Sequence, residues 1–178
     1  MLDLKHRGAG AVLVRETPAL PLQSAVPDPR PALAILPFVN MSDDPNTEHF
    51  ADGLVEDLIT AFSRFTSFAV VARQSTFAYR DAAIDIREIA ARLGVRYVLE
   101  GSVRRVGRAV RIPAQLIDGG TGAHIWAEKL DGTIDDVFAF QDRVTTRVIG
   151  LLEPQIRQAE IDRARRKPPE NLHAYDLY

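Results

Sequence analysis

Cysteine is absent from the 178 residues. That removes disulfide frameworks, thiolate nucleophiles and cysteine-ligated zinc or iron–sulfur centres in one step. It fits a reducing cytoplasm, although a periplasmic protein also does without cysteine. The chain also lacks a dominant charge. A formal net charge of -2 gives the whole molecule no pull toward nucleic acid or acidic membranes. Long apolar runs are missing too. The stretch over 9–14 follows Asp3, Lys5, His6 and Arg7 and is ended by Arg15, which is too short for a secretory segment. No stretch approaches the length of a membrane span. Serines are few, and none lies in the Gly-x-Ser-x-Gly turn that exposes a nucleophile. The expectation is a cytoplasmic protein, with the periplasm left open, that carries no cofactor or metal.

What is present divides into three parts. Residues 1–31 read as a tail or linker, because Pro18, Pro21, Pro27, Pro29 and Pro31 fall within 16–31 and favour extended polyproline backbone. Fully extended, that segment spans roughly 50 Å. Residues 32–167 read as one αβ domain. Residues 168–178, after Pro168-Pro169, read as the start of a further helical segment.

Within the domain the pattern predicts an α/β fold with a mixed five-stranded sheet: two buried β-α units, then a three-stranded antiparallel meander, packed helices and a long C-terminal helix. The apolar run 32–38 reads as a buried strand. Asp44-Pro45 then marks a helix start, with Asp44 as N-cap, and Phe50, Leu54, Leu58 and Phe62 recur on one helical face. A second buried strand is expected over 68–72, followed by a polar loop through Ser75 and Arg80. Asp85 and Glu88 form a capping-box pair, Ile84 and Ile89 occupy the staple positions, and Gly94 sits where the helix should end.

Strands are expected over 95–105, 109–117 and 123–130, the middle one alternating Val110, Ile112, Ala114 and Leu116 with Arg111 and Gln115. Pro113 predicts a bulge or an unpaired side, since proline cannot donate to a ladder. A final helix over 134–166 should be nearly 50 Å long against a sheet of roughly 27 Å, so its last turns should overhang the domain. Pro154 should kink it.

Candidate sites are sparse. Asp43, Asp44, Asp52, Glu56 and Asp57 read better as acids at a helix N-terminus than as a magnesium site. Gly119-Gly120-Thr121-Gly122 lacks a Gly-Lys-Ser/Thr ending and leads into a strand, so it reads as a hairpin turn. His6, His49, His124 and His173 show no metal-ligand spacing. Arg104, Arg105, Arg108 and Arg111 gather around one hairpin without a helix-turn-helix or an aromatic platform, which disfavours nucleic acid. Asn40 and Asp52 remain as candidates for a small-ligand contact, Arg104 and Arg105 for a surface contact, and Ile156 and Arg163 for an interface beyond Pro154. Homodimerisation through the final helix is a further expectation.

Several stretches together carry a resemblance. They are Leu33-Ala34-Ile35-Leu36-Pro37-Phe38 through Asn40-Met41-Ser42, Phe50-Ala51-Asp52-Gly53, Val95 through Val103, Gln115-Leu116-Ile117-Asp118, and Thr121 through Ala127. In order and spacing they resemble the TolB amino-terminal-like domain, related to the FlgO and CsgG families, over residues 32 to about 166. The resemblance implies a mixed sheet with packed helices, set between an N-terminal output domain and C-terminal tetratricopeptide repeats. The output domain would be a class III adenylate/guanylate cyclase or a winged helix. Residues 171–178 resemble the opening of such repeats. No motif of the family is catalytic, so the implied role is a non-enzymatic relay that contacts other domains of its polypeptide or protein partners.

Overall fold

The computed structural model describes residues 28–167. Most of the expected linker, residues 1–27, and the whole segment expected over 168–178 lie outside the described residues.

The elements in chain order are β1 (Ala32–Ile35), β2 (Val39–Asn40), α1 (Asn46–Phe62), β3 (Ala69–Val70), α2 (Arg73–Phe77), α3 (Ile86–Leu93), β4 (Tyr97–Val106), β5 (Ala109–Asp118), β6 (His124–Thr133) and α4 (Val137–Arg166). The sheet order is β3-β1-β4-β5-β6, with β2 also paired to β4. β1 runs parallel to β3 and β4, whereas β4, β5 and β6 form an antiparallel meander. This is the mixed α/β fold with a long C-terminal helix that the sequence pattern predicts. The two-residue β2 is an addition. It continues the line of β1 beside β4, but Leu33 faces Tyr97 while Val39 faces Ser102. One extra residue is therefore absorbed around Pro37, which has no N–H to give to a ladder.

Local chemistry explains the helix ends. The Asp44 carboxylate accepts from the Asn46 N–H at 2.9 Å, and the helix begins one residue later than expected, with Pro45 at the cap. In α3 the Asp85 side chain accepts from the Arg87 N–H at 2.8 Å, and Gly94 closes the helix at φ 66°. Glu88 does not complete a capping box; it pairs with Arg92 at 2.5 Å. Asp136, not Ile134, starts α4, by accepting from the Ala139 N–H at 3.1 Å.

One face of the sheet carries most of the core. There α1 and α4 cover Leu33, Ile35, Tyr97, Leu99, Ile112 and Leu116. The two helices meet at Gln141, whose buried side-chain amide donates to the Phe50 carbonyl at 3.1 Å. Gly53 makes room for it, since a Cβ there would lie 2.7 Å from Gln141 Nε2. Among the described residues the opposite face has a smaller cluster, in which Ile89 and Ala90 of α3 cover Ala34, Leu36 and Val98.

Two expectations change and one holds. The second strand shrinks to half-buried Ala69–Val70, and the polar loop after it contains the short helix α2. At Pro113 the unpaired side is real: the β4–β5 register runs from Gly101 opposite Ala114 to Arg104 opposite Arg111 without pairs between. The irregularity between β5 and β6 falls instead at Leu116/Ile117. The overhang of the last helix is also smaller than expected. The meander strands are ten residues each, about 33 Å, against about 45 Å for α4. The sheet therefore carries the helix well past Pro154. Ile156, expected at an exposed interface, is fully buried in the core.

Candidate functional site

Among the described residues, two places bring polar side chains from distant elements together. The first is a cleft of about 990 Å³ on the thinly covered face, between the loop 78–85, α3 and the floor of β4 and β5. Its aliphatic wall comes from Ile84, Ile86 and Ile89, and its polar groups include Asn40, Arg80, Gln115 and Lys129. The cleft is open because α3 is only eight residues long, packs on β1 and the start of β4, and meets the end of β5 only where Ala90 approaches Gly119. In the floor Gln115 donates to Glu100 across the β4–β5 pair. At the lip Asp81 adopts φ 57°, the left-handed region that few non-glycine residues occupy.

The expected ligand contacts turn out to be engaged. The Arg80 guanidinium donates to Glu48 at 3.0 Å and to Asp52 at 2.7 Å, so Asp52 serves to fix Arg80 at the cleft. The Asp52 bond holds the Arg80 pKa above its ordinary value. Asn40 accepts from the Ser42 N–H at 2.9 Å and donates to the Asp44 carbonyl at 3.1 Å, shaping the loop into α1. It still lines the cleft, as Arg80 does.

The arginine hairpin is largely neutralised. Arg111 grips Asp131 with two bonds of 2.8 and 3.2 Å, and this pairing holds the Asp131 carboxyl below its usual range. Arg108 pairs with Asp135. Arg105 folds back so that its Nε donates to the Gly107 carbonyl at 2.9 Å, and its backbone N–H donates to Ser42 Oγ at 2.6 Å. Arg104 is exposed and stands opposite Arg111.

The second place is a junction at the other end of the sheet. The Arg96 backbone N–H donates to the Ala32 carbonyl at 3.1 Å, and its own carbonyl accepts from the Gly119 N–H at 2.7 Å. Its guanidinium reaches both Glu160 oxygens, at 2.8 and 2.7 Å. The Tyr97 hydroxyl donates to Glu160 as well, at 2.5 Å, from a ring that is fully buried. Burial raises the Glu160 pKa, but the bonds from Arg96 and Tyr97 outweigh it and hold the carboxyl below its usual value. Burial, followed by the Glu160 bond, pushes the Tyr97 phenol up.

One turn further along α4, Arg163 donates to Asp118 at 3.2 Å, and Asp118 also accepts from the Gly120 and Thr121 N–H groups. Arg163, expected at an interface with a partner, is thus bonded within the domain. Arg96, Tyr97, Glu160 and Asp118 were not legible as a group. Glu160 stands 63 residues from Tyr97, and no spacing rule links a strand start to the end of a helix that far away.

Among solved structures, the chain is similar to lipoprotein GNA1162 from Neisseria meningitidis, with TM-score 0.52 and 17% identity, over 68% of this chain and 96% of that one. It is similar to TolB from Acinetobacter baumannii, with TM-score 0.50 and 20% identity, over 70% of this chain and 29% of that one. At these identities the likeness is one of fold, and the resemblance to TolB holds at that level. A curated relative from Rhizobium meliloti (strain 1021), named "Putative adenylate cyclase 3", is 47% identical over 148 residues, covering 83% of this chain. The chain spans 25% of that relative's length. The model of the HilA/YgeH-like transcriptional regulator, second domain, matches residues 30–147, from just before β1 into α4, and the chain belongs to that family.

Proposed function

We propose that this domain is a non-catalytic interaction and signal-relay module of a multidomain bacterial signalling protein. It joins an upstream output domain, of the class III adenylate/guanylate cyclase type, to downstream tetratricopeptide repeats. The relative named as an adenylate cyclase and the family of a regulator's second domain both support a role beside an output domain.

The observation that carries the reading is Arg96. Its backbone holds the first residue of β1, where the chain comes in from the linker, and its side chain holds Glu160, near where the chain leaves along α4. A shift at either connection is therefore felt at the other through one residue. The test uses a polypeptide that includes the upstream domain. Arg96→Ala should change the output of that domain several-fold, read as cyclic nucleotide formed or as DNA bound, while the 178-residue chain alone turns over no ATP or GTP. Turnover by the isolated chain would overturn the reading.

A second reading rests on the cleft beside Asn40 and Arg80. A small ligand held there would make the domain a sensor. A ligand at about a hundred times its Kd stabilises the fold by about 2.7 kcal/mol. A screen by melting temperature should find such a shift, and Arg80→Gln should abolish it; a flat screen would remove this reading.

A further inference from the structure

Helix α4 has thirty residues, yet its two halves are held by different means. The first half is seated by Phe140, Val144 and Val148 and by the Gln141 bond to α1. Beyond Pro154 the seat consists of Ile156, Ala159 and the polar junction of Arg96, Tyr97 and Glu160, with Arg163 on Asp118. Beside this second half lies an open gap of about 550 Å³, bordered by Gln155, Gln158, Asp162 and the turn after β5.

Between the halves stand Gly150 and Pro154, four residues apart and both exposed. Proline cannot donate to the carbonyl four residues back, and its ring presses against that carbonyl, which here belongs to Gly150. A glycine inside a helix further loosens the backbone. No packing requires that glycine, because a Cβ placed on it meets nothing within 4 Å. The weak point is thus built from two residues that local packing does not demand.

We infer that α4 is a hinged helix whose second half, Gln155 to Arg166, opens from the sheet as a unit about Gly150 and Pro154, and that Glu160 on Arg96 and Tyr97 is the latch. The inference rests on the relay reading for its purpose, since the latch sits where the incoming and outgoing connections meet. Opening removes Ile156 from the core and frees Arg96 from Glu160, while α1 and the first half of α4 stay in place. The downstream part of the polypeptide is what such a movement would shift.

The test is hydrogen exchange on the 178-residue chain under native conditions. In Glu160→Ala, which removes the bonds from both Arg96 and Tyr97, the amides over 155–166 should exchange at least about ten-fold faster, the factor that a single charge-assisted bond would give. Those over 140–149 and in α1 should keep their protection. Glu160→Gln, which can still accept from Tyr97, should fall between the two. Adding Pro154→Ala to Glu160→Ala should return protection to the second half by restoring the missing helical bond. Equal acceleration of both halves, no acceleration, or no rescue by Pro154→Ala would each overturn the hinge. If exchange splits at Pro154 but Arg96→Ala leaves the upstream output unchanged, the hinge stands and the relay reading falls.

Discussion

The two faces of the sheet are built to different standards. The face under α1 and α4 is a continuous core, in which Leu54, Val55, Leu58 and Phe62 pack on Leu33, Ile35, Tyr97 and Leu99 with no exposed surface beyond a percent. The other face shares with α3 a cluster of six buried residues, two of them on α3 itself, and then opens into the cleft. The first face fixes the fold. The second leaves polar groups of the sheet, such as Gln115 and Lys129, within reach of whatever approaches.

The largest effect should come from the closed face. Leu54→Ala should lower stability by about 2–5 kcal/mol, because neighbours held by two helices relax little into the cavity. Urea denaturation should show a lower midpoint with an unchanged slope. On the open face, Ile89→Ala should cost about 2 kcal/mol, the low end for such truncations, because a site beside a cleft collapses more readily. Equal losses for the two variants would erase the difference between the faces.

The smallest effect concerns the seam of the closed face. Burial, then the charges of Asp142 and Glu56, raise the Asp57 pKa. A carboxyl with a raised folded pKa binds its proton more tightly in the folded state, so stability falls as pH rises from the ordinary aspartate value through the raised one. Asp57→Asn should therefore raise the melting temperature at neutral pH. The gain should vanish below the ordinary aspartate range, where Asp57 is protonated whether folded or not. A gain that persists in acid would show that charge is not its cause.

Much of this architecture was legible from local signals. The Phe50, Leu54, Leu58 and Phe62 stripe, Asp85 with Gly94 around α3, and the alternation of Val110, Ile112 and Ala114 each name an element and its buried side. What escaped lacks a period. The helix α2 has five residues and one buried side chain, and β2 has two residues, too few for any pattern to register. The candidate contacts were legible only as residue types. Asp52 stands near Asn40 in the sequence, but its partner Arg80 lies 28 residues away.

By itself the sequence determined the order of the longer elements, the Asp85 and Gly94 ends of α3 and the inward face of each, because these depend on neighbours within about four residues. It also determined that no cysteine chemistry takes place here. Only the tertiary structure decided what α4 does beyond Pro154. Whether that stretch overhangs or lies on the sheet depends on Ile156 reaching the core and on Glu160 meeting Arg96 and Tyr97. Those are encounters between residues some sixty positions apart, and they exist only once the meander has placed the start of β4 beside the end of the helix.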